Sequence, residues 1–197
     1  MTTSARSTVV ELAKSRRTTR VFSKSPVRFD DVLYCIEVAT QAPSGANRQP
    51  WRFILVDDPK MKERIRATCE EQEKLHHASV EENLKQWFMS KNITWQKPFV
   101  TEAPMLLAVF SNQAMPYATE STWLAIGYLA LALEERSIST LTYTPSYPEN
   151  VRPSFNAPEQ YKLETILPLG YSADPKPKES RRAFKSLLFR NIWNVEA

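Results

Sequence analysis

Apolar residues recur along this chain with two periods, and the switches between them mark its elements. Val9, Val10, Leu12 and Ala13 predict a short helix capped by Ser7 or Thr8. Val32, Leu33, Ile36 and Ala39 repeat at helical spacing behind Asp30 or Asp31, which are the expected caps of a second helix. Trp51 to Val56, apolar except for Arg52, reads as a buried strand stopped by Asp57-Asp58-Pro59. Pro59 suits the first position of the next helix, which carries Met61, Ile65 and Cys69 on one face. Between residues 70 and 95 charged and amide side chains dominate, with Leu75, Val80, Leu84, Trp87, Phe88 and Ile93 at amphipathic intervals.

Met105 to Phe110 reads as a second buried strand. Pro116 starts a long helix whose Trp123, Ile126, Gly127, Ala130, Leu131 and Leu133 spread apolar surface over more than one face, as expected of a central or interfacial helix. Ile138 to Tyr143 and Leu163 to Gly170 are the third and fourth predicted strands. Asp174-Pro175-Lys176-Pro177 is an extended link, and Phe184, Leu187, Leu188 and Phe189 make the basic terminal segment apolar enough to need a groove on a partner subunit.

The chain has 197 residues and no Pro/Gly/Ser-rich linker, so one domain is expected over 1–197. Its 42% hydrophobic and 24% charged residues are those of an ordinary globular protein, and a net charge of +4 with interleaved signs argues against a nucleic-acid partner. Cys35 and Cys69 sit at apolar helical positions without metal-ligand spacing, so buried thiols and no metal site are expected. No apolar run approaches the roughly 20 residues of a membrane span, and Met1 to Arg6 lack a signal-peptide pattern. A cytoplasmic protein with no membrane partner is the expectation.

Candidate chemistry concentrates in four stretches. Ala42 to Trp51 is a proline-bracketed connection that contains one of only three glycines, Gly45, and offers Ser44, Asn47 and Gln49 as hydrogen-bonding groups. Ser15 to Arg20 packs Arg16, Arg17 and Arg20 with Thr18 into six residues, a donor set suited to an oxyanion. Thr142-Tyr143-Thr144-Pro145 closes the third strand, and Arg181-Arg182 opens the last segment. Taken singly, these read as a capped loop, a solvated basic turn, a strand end and a charged tail.

Together they resemble the nitroreductase superfamily of FMN-dependent reductases over nearly the whole chain. Within it, the iodotyrosine deiodinase branch is similar at Pro43-Ser44-Gly45-Ala46, Pro50-Trp51, Thr142 to Pro145, Trp95 with Lys97, Ala103-Pro104, Glu120-Ser121 and Leu167 to Tyr171. The resemblance implies an α+β nitroreductase fold. Its central, mostly antiparallel four-stranded sheet is flanked by helices in an intertwined homodimer, with a substrate lid at about 70–97 and a partner-exchanging tail at about 172–197.

It also implies an FMN cradle of Arg16, Arg17, Thr18, Arg20, Pro43, Ser44, Gly45, Asn47, Thr142, Thr144, and Arg181 or Arg182. Thr144 is the implied catalytic donor toward flavin N5, a contact that favours stepwise one-electron transfer. Ala46, Glu73, His77 and Lys97 would bind a small electron-poor or halogenated aromatic, halotyrosine being the sharpest expectation; the branch's usual lid tyrosine is replaced by His77. A broad NAD(P)H-dependent nitroreductase or quinone reductase and a non-catalytic flavin-binding protein are the alternatives. NADH or NADPH is the candidate electron donor, although the chain carries no dinucleotide fingerprint.

Overall fold

The computed structural model describes residues 8–193, so Ser7 and Met1 to Arg6 lie outside the described residues. Its centre is a three-stranded antiparallel sheet in the order β1 (Trp51–Val56), β2 (Met105–Asn112), β3 (Tyr161–Leu169). Trp51 faces Ser111 across the first pair, and Met105 faces Leu169 across the second. β2 is buried on both faces, which is why its sequence is continuously apolar rather than alternating.

The two faces feed separate cores. Leu106, Ala108 and Phe110 point toward α3 (Pro59–Ser79), α5 (Phe99–Glu102) and α7 (Pro148–Val151), meeting Ile65, Cys69, Val100 and Val151. Leu107 and Val109 point the other way, against Val32, Cys35 and Ala39 of α2 (Phe29–Thr40) and Ala125, Ile126, Leu129 and Leu133 of α6 (Ala118–Glu135). Both cysteines are free and buried, and burial pushes each thiol up to about 12.

Two features of β3 break the regular pattern. Between Val109 and Phe110 of β2 the register slips by one, so Thr165 and Leu163 take consecutive partners and Glu164 is the extra residue. This bulge explains how Leu163 and Ile166, an odd and an even position, enter the same core cluster. On the other side of β3 the expected third strand, Ile138 to Tyr143, is reduced to two isolated bridges, Ser139 with Gly170 and Tyr143 with Ile166. Both bridges share one register, which sets Leu141 opposite Pro168, and Pro168 has no N–H to donate. The four-stranded expectation is corrected to three strands plus a bridged edge segment. Thr18 adds a further, parallel bridge to Thr140 beyond it.

The helix ends follow the sequence with three exceptions. Thr8 caps α1 (Val9–Ser15) in a reciprocal capping box with Glu11, and Asp58 caps α3 through the N–H groups of Lys60 and Met61. α2 starts earlier than expected, at Phe29 behind Arg28, so Asp30 and Asp31 lie in its first turn and act on the helix dipole instead of capping it. α6 starts at Ala118, two residues after Pro116, because Tyr117 adopts a left-handed conformation (φ 52°). The polar stretch after Glu70 is not a separate unit at its start: α3 runs through it unbroken to Ser79, with Gln72 and Glu73 still buried. α4 (Glu82–Ser90) then buries none of its residues. No helix among the described residues is long and apolar enough to cross a membrane.

Gly170 closes the edge bridge where a Cβ would lie 2.9 Å from both Phe22 Cδ1 and Pro104 Cδ. Gly170→Ala is therefore expected to lower the free energy of urea unfolding by about 1–3 kcal/mol through overpacking. An unchanged denaturation midpoint would remove that contact from the account of the fold.

Candidate active site

The bridged edge beyond β3 carries the first group of functional candidates. Along it Leu141 and Tyr143 turn into the core, while Thr142 and Thr144 face outward as strand alternation requires. The segment Arg16 to Arg20 lies alongside, with the Thr19 N–H donating to the Thr140 carbonyl at 3.1 Å. Among the described residues, the side chains of Arg16, Thr18, Arg20 and Thr142 enter no hydrogen bond or ion pair, so their donors remain available.

Arg17 is differently employed. Its guanidinium donates to the carbonyls of Lys176 (2.5 Å) and Asp174 (2.7 Å) and to Ser172 Oγ (2.9 Å), pinning the extended link 172–176 against the edge. Asp174 answers with its carboxylate, which accepts the N–H groups of Arg20 and Lys176. Burial would raise the Asp174 carboxyl, but those N–H bonds and the charges of Arg17 and Lys176 hold it below the usual carboxylate range.

Lys178 then donates to the last carbonyls of α1, Ala13 (2.5 Å) and Lys14 (2.9 Å), a favourable placement of a cation at a helix C-terminus. That contact brings the chain to the exit of α1 just three residues before Arg181. Arg181 and Arg182 are exposed there, Arg181 touching only the carbonyls of Glu179 and Ser180. Lys178 thus ties the segment that leads to Arg181 and Arg182 to the exit of α1.

The connection Pro43 to Asn47 lies elsewhere, on the β1 side of the sheet and against the start of α6. The Gly45 N–H donates to Ser121 Oγ at 3.1 Å, and a Cβ on Gly45 would approach Tyr117 Cδ2 at 2.7 Å. Gly45 is required by that aromatic ring. The loop also stores strain: Ala46 (φ 49°), Asn47 (φ 53°) and Gln49 (φ 49°) are left-handed, as is the neighbouring Tyr117. These are half of the non-glycine left-handed residues among the described residues, and such clustering is characteristic of functional loops. Ser44 Oγ accepts the Gln49 N–H at 3.0 Å, and the Gln49 amide reaches Asn47, so the turn is held from within.

A third group sits under α3. Glu73 is buried, and its Oε1 accepts the Tyr143 hydroxyl (2.9 Å) and the Ser146 N–H (3.2 Å), while Oε2 faces Lys97 Nζ at 3.5 Å. Lys97 is buried as well, and its ammonium donates to the Thr94 carbonyl at 2.6 Å. Burial lowers the Lys97 ammonium from its ordinary value and the Glu73 charge opposes that fall. His77 stacks on Phe88 of α4 with ring centroids 4.6 Å apart, and its imidazole is lowered first by burial and then by the Lys97 charge. Glu73, His77 and Lys97 therefore belong to one cluster, fastened to the segment that presents Thr142 and Thr144.

Sequence reasoning missed Tyr143 as the fastener and Glu164 as a site residue. The bulged Glu164 carboxylate is buried and fully occupied: Oε1 accepts Ser111 Oγ (2.5 Å) and Thr119 Oγ1 (2.8 Å), and Oε2 accepts Trp123 Nε1 (3.1 Å) and Lys162 Nζ (3.2 Å). Burial pushes this carboxyl up, but the hydroxyl and ammonium donors outweigh it and hold it low. Its main-chain carbonyl accepts the Thr144 hydroxyl at 3.2 Å. A charged residue inside the otherwise apolar run Leu163 to Leu169 was the available signal. Among the described residues no cluster of His, Cys, Asp and Glu suits a metal ion.

The outward donors of this chain fit a flavin mononucleotide. Arg16, Thr18 and Arg20 supply unengaged cationic and hydroxyl donors for a phosphate, and Thr142 and Thr144 line the same edge for the rest of a flat polar molecule. Comparison with known proteins identifies the family. A profile of the nitroreductase family matches residues 13–171. An iodotyrosine deiodinase of Thermotoga neapolitana is 49% identical over 171 residues, covering 87% of this chain and 92% of that one. One of Nematostella vectensis is 32% identical over 174 residues, and there the match covers 81% of this chain and 65% of the longer relative. A crystal structure of oxidized iodotyrosine deiodinase bound to FMN and 3-iodo-L-tyrosine superposes with a TM-score of 0.86 at 48% identity, covering 89% of this chain and 96% of that one. The chain belongs to the nitroreductase family, on the branch that contains the iodotyrosine deiodinases.

Proposed function

We propose that this chain is an FMN-dependent reductase that removes halogen from halotyrosines as a homodimer. The observation that carries the reading is the buried Glu73–Lys97 pair beneath α3. A carboxylate and an ammonium already desolvated and facing each other are the complement of an amino-acid zwitterion, whose ammonium and carboxylate would take one partner each. Exchange of partners avoids the cost of leaving either charge buried alone, which is about 3–5 kcal/mol when one partner is simply removed.

Bound FMN supplies the electron transfer, and the protein residues hold and orient. Arg16, Thr18, Arg20 and one of Arg181 and Arg182 take the phosphate end, with Arg17 holding the link that carries the tail. Thr142 and Thr144 line the flavin edge, Ala46 offers its N–H to the substrate phenolate, and His77 with Phe88 closes the lid over the aromatic ring. Pro43, Ser44, Gly45 and Asn47 complete the cradle.

That last group belongs to the other subunit. β1 and the Thr18 bridge are opposite margins of the sheet, four interstrand spacings or about 19 Å apart. Exposed apolar surface supports the dimer: Trp123, Leu124 and Tyr128 flank Gly127 on α6, and Phe184, Leu187, Leu188, Ile192 and Trp193 leave the tail uncovered on its own subunit. A groove of about 490 Å³ between α2 and β1, lined by Phe29, Leu33, Ile36, Phe53 and Leu55, would receive the partner's tail. Asp30, Asp31 and Glu37 on α2 complement the basic Lys185 and Arg190 of that tail.

Anaerobic addition of 3-iodotyrosine to the reduced, FMN-loaded protein is expected to reoxidise the flavin with release of iodide. A flavin that stays reduced would remove the halotyrosine assignment. Glu73→Gln is expected to raise KM for iodotyrosine by about 10-fold or more, with a smaller effect on a neutral halophenol. Because the Glu73 charge opposes the burial that lowers Lys97, the variant's substrate binding should also fail at lower alkaline pH than wild type. Equal losses on both substrates would show that Glu73 does not meet the zwitterion. Gly127→Trp tests the dimer, since a Cβ there meets no atom within 4 Å of its own subunit. Light scattering should find a folded monomer that has lost FMN, whereas a flavin-loaded dimer would exclude α6 from the interface.

A further inference from the structure

α3 presents Glu70, Glu73, Lys74 and His77 on one face, the i, i+3, i+4 and i+7 positions of a helix. Residues 93–97, which form no helix or strand, run opposite them and end in Lys97. Because Pro98 follows, the Lys97 backbone favours extended geometry, but no ladder or helix fixes where it lies. The Lys97 ammonium donates to the Thr94 carbonyl three residues back, which folds the stretch on itself without attaching it to the rest of the molecule.

The attachment comes from Glu70. Its Oε1 accepts the Lys97 N–H at 2.8 Å and the Arg66 Nε–H at 2.7 Å. Arg66 also donates to Thr101 Oγ1 at 2.9 Å, and that hydroxyl donates to the Pro98 carbonyl at 3.2 Å, so the network closes on the residue after Lys97. Burial raises the Glu70 carboxyl, but the Lys97 N–H and the Arg66 guanidinium outweigh it and hold it below the usual carboxylate range. Lys74 adds a second tie, its ammonium lying 4.2 Å from the centre of the Trp95 ring. With Arg66 alone, Glu70 would make an ordinary i,i+4 ion pair; accepting an N–H from 27 residues away gives it a second use.

We infer that Glu70 is a positioning residue for substrate recognition: by holding the Lys97 main chain against α3, it places the Lys97 ammonium beside Glu73, where an amino-acid carboxylate can meet it. The inference rests on the reading of Glu73 and Lys97 as the partners of a substrate zwitterion. One helix then sets both recognition charges, Glu73 directly and Lys97 through Glu70, and their spacing does not depend on the irregular stretch that carries the cation. A phenol without a zwitterion gains nothing from this arrangement, so Glu70 acts on selection among phenols and not on the reduction itself.

The test compares 3-iodotyrosine with 2-iodophenol on the FMN-loaded protein, by calorimetric Kd and by KM against kcat. Glu70→Ala should raise Kd and KM for 3-iodotyrosine about 10-fold, the worth of a hydrogen bond to a charged group, while its kcat and the 2-iodophenol affinity stay within about twofold of wild type. Glu70→Gln keeps an oxygen that accepts the Lys97 N–H and should recover most of the loss. Lys97→Met should also lose 3-iodotyrosine affinity, and adding Glu70→Ala to it should cost nothing further, because a misplaced ammonium and an absent one fail alike. A Glu70→Ala protein that matches wild type, that weakens both ligands equally, or that adds its full loss to Lys97→Met overturns the positioning role. So does a Glu70→Gln protein no better than Glu70→Ala, which would trace the effect to charge. A Lys97→Met protein with unaltered 3-iodotyrosine affinity removes the zwitterion reading itself, and the inference with it.

Discussion

Two prolines on one margin of the sheet determine where ligand chemistry can be built. β3 offers its outer hydrogen-bonding edge to Ser139 through Tyr143, but Pro168 lacks the N–H that would complete the middle of that ladder, and Pro145 lacks the one that would extend it. The edge segment is therefore held at Ser139 and Tyr143 rather than zipped along its length. It can follow a path that sets Thr142 and Thr144 outward and Tyr143 into the core, and it keeps the arginine segment beside it through Thr18 and Thr19. The same margin receives Arg17, Asp174 and Lys178, which tie the start and the end of the chain together. An unbroken fourth strand would have taken up the groups that are here left for side chains to satisfy.

Burying charge beside that margin is costly, and the fold handles Glu164 and Glu73 differently. Glu164 is surrounded by hydroxyl, indole and ammonium donors, so every acceptor it brings into the interior is used. It is a finished structural anchor. Glu73 is satisfied by Tyr143, by the Ser146 N–H and by a Lys97 ammonium at 3.5 Å, longer than a close charge-assisted bond. Lys97 spends its shortest contact on a carbonyl, that of Thr94. This looser pairing suits a site whose charges change partners, whereas the tight cage of Glu164 suits a site that must stay still.

Much of this was legible in the sequence. Thr8 could be read as a cap, Pro59 as the first residue of α3, Trp51 to Val56 and Met105 to Phe110 as buried strands, and Cys35 and Cys69 as core thiols, because each depends on residues within a few positions of itself. The conjunction of the Arg16 to Arg20, Pro43 to Trp51 and Thr142 to Pro145 stretches was enough to reach the family. What escaped depends on distant partners. Arg17 looked like one more phosphate donor, yet its acceptors lie more than 150 residues away at Ser172, Asp174 and Lys176. Pro168 could be seen, but its effect on the expected third strand depends on Leu141 being opposite. Asp30 and Asp31 had the composition of caps and lost the role because Phe29 already takes helical geometry. The bulge at Glu164 was hidden for the same reason as Tyr143: a register is a property of two strands together.

The separation of the two loop systems follows from these constraints. Within one subunit the strained turn at Ala46, Asn47 and Gln49 is braced by Tyr117 and Ser121 at the start of α6, while the arginine segment is braced by Thr140 and Asp174 beyond β3. Each loop is tied where it lies: the Gly45 N–H donates to Ser121 beside a Tyr117 ring that leaves no room for a Cβ, and Arg17 is held by three acceptors. A cofactor that uses both would, in the proposed dimer, lie between copies. The exposed face of α6 beside Gly127 lies on the same helix whose first turn braces that turn, so in the proposed dimer the subunit contact and the loop offered to the partner's site are carried by one element. In the proposed dimer, association and cofactor binding become a single event, and the backbone strain at Ala46 sits in a turn that Ser44 and Gln49 hold from within.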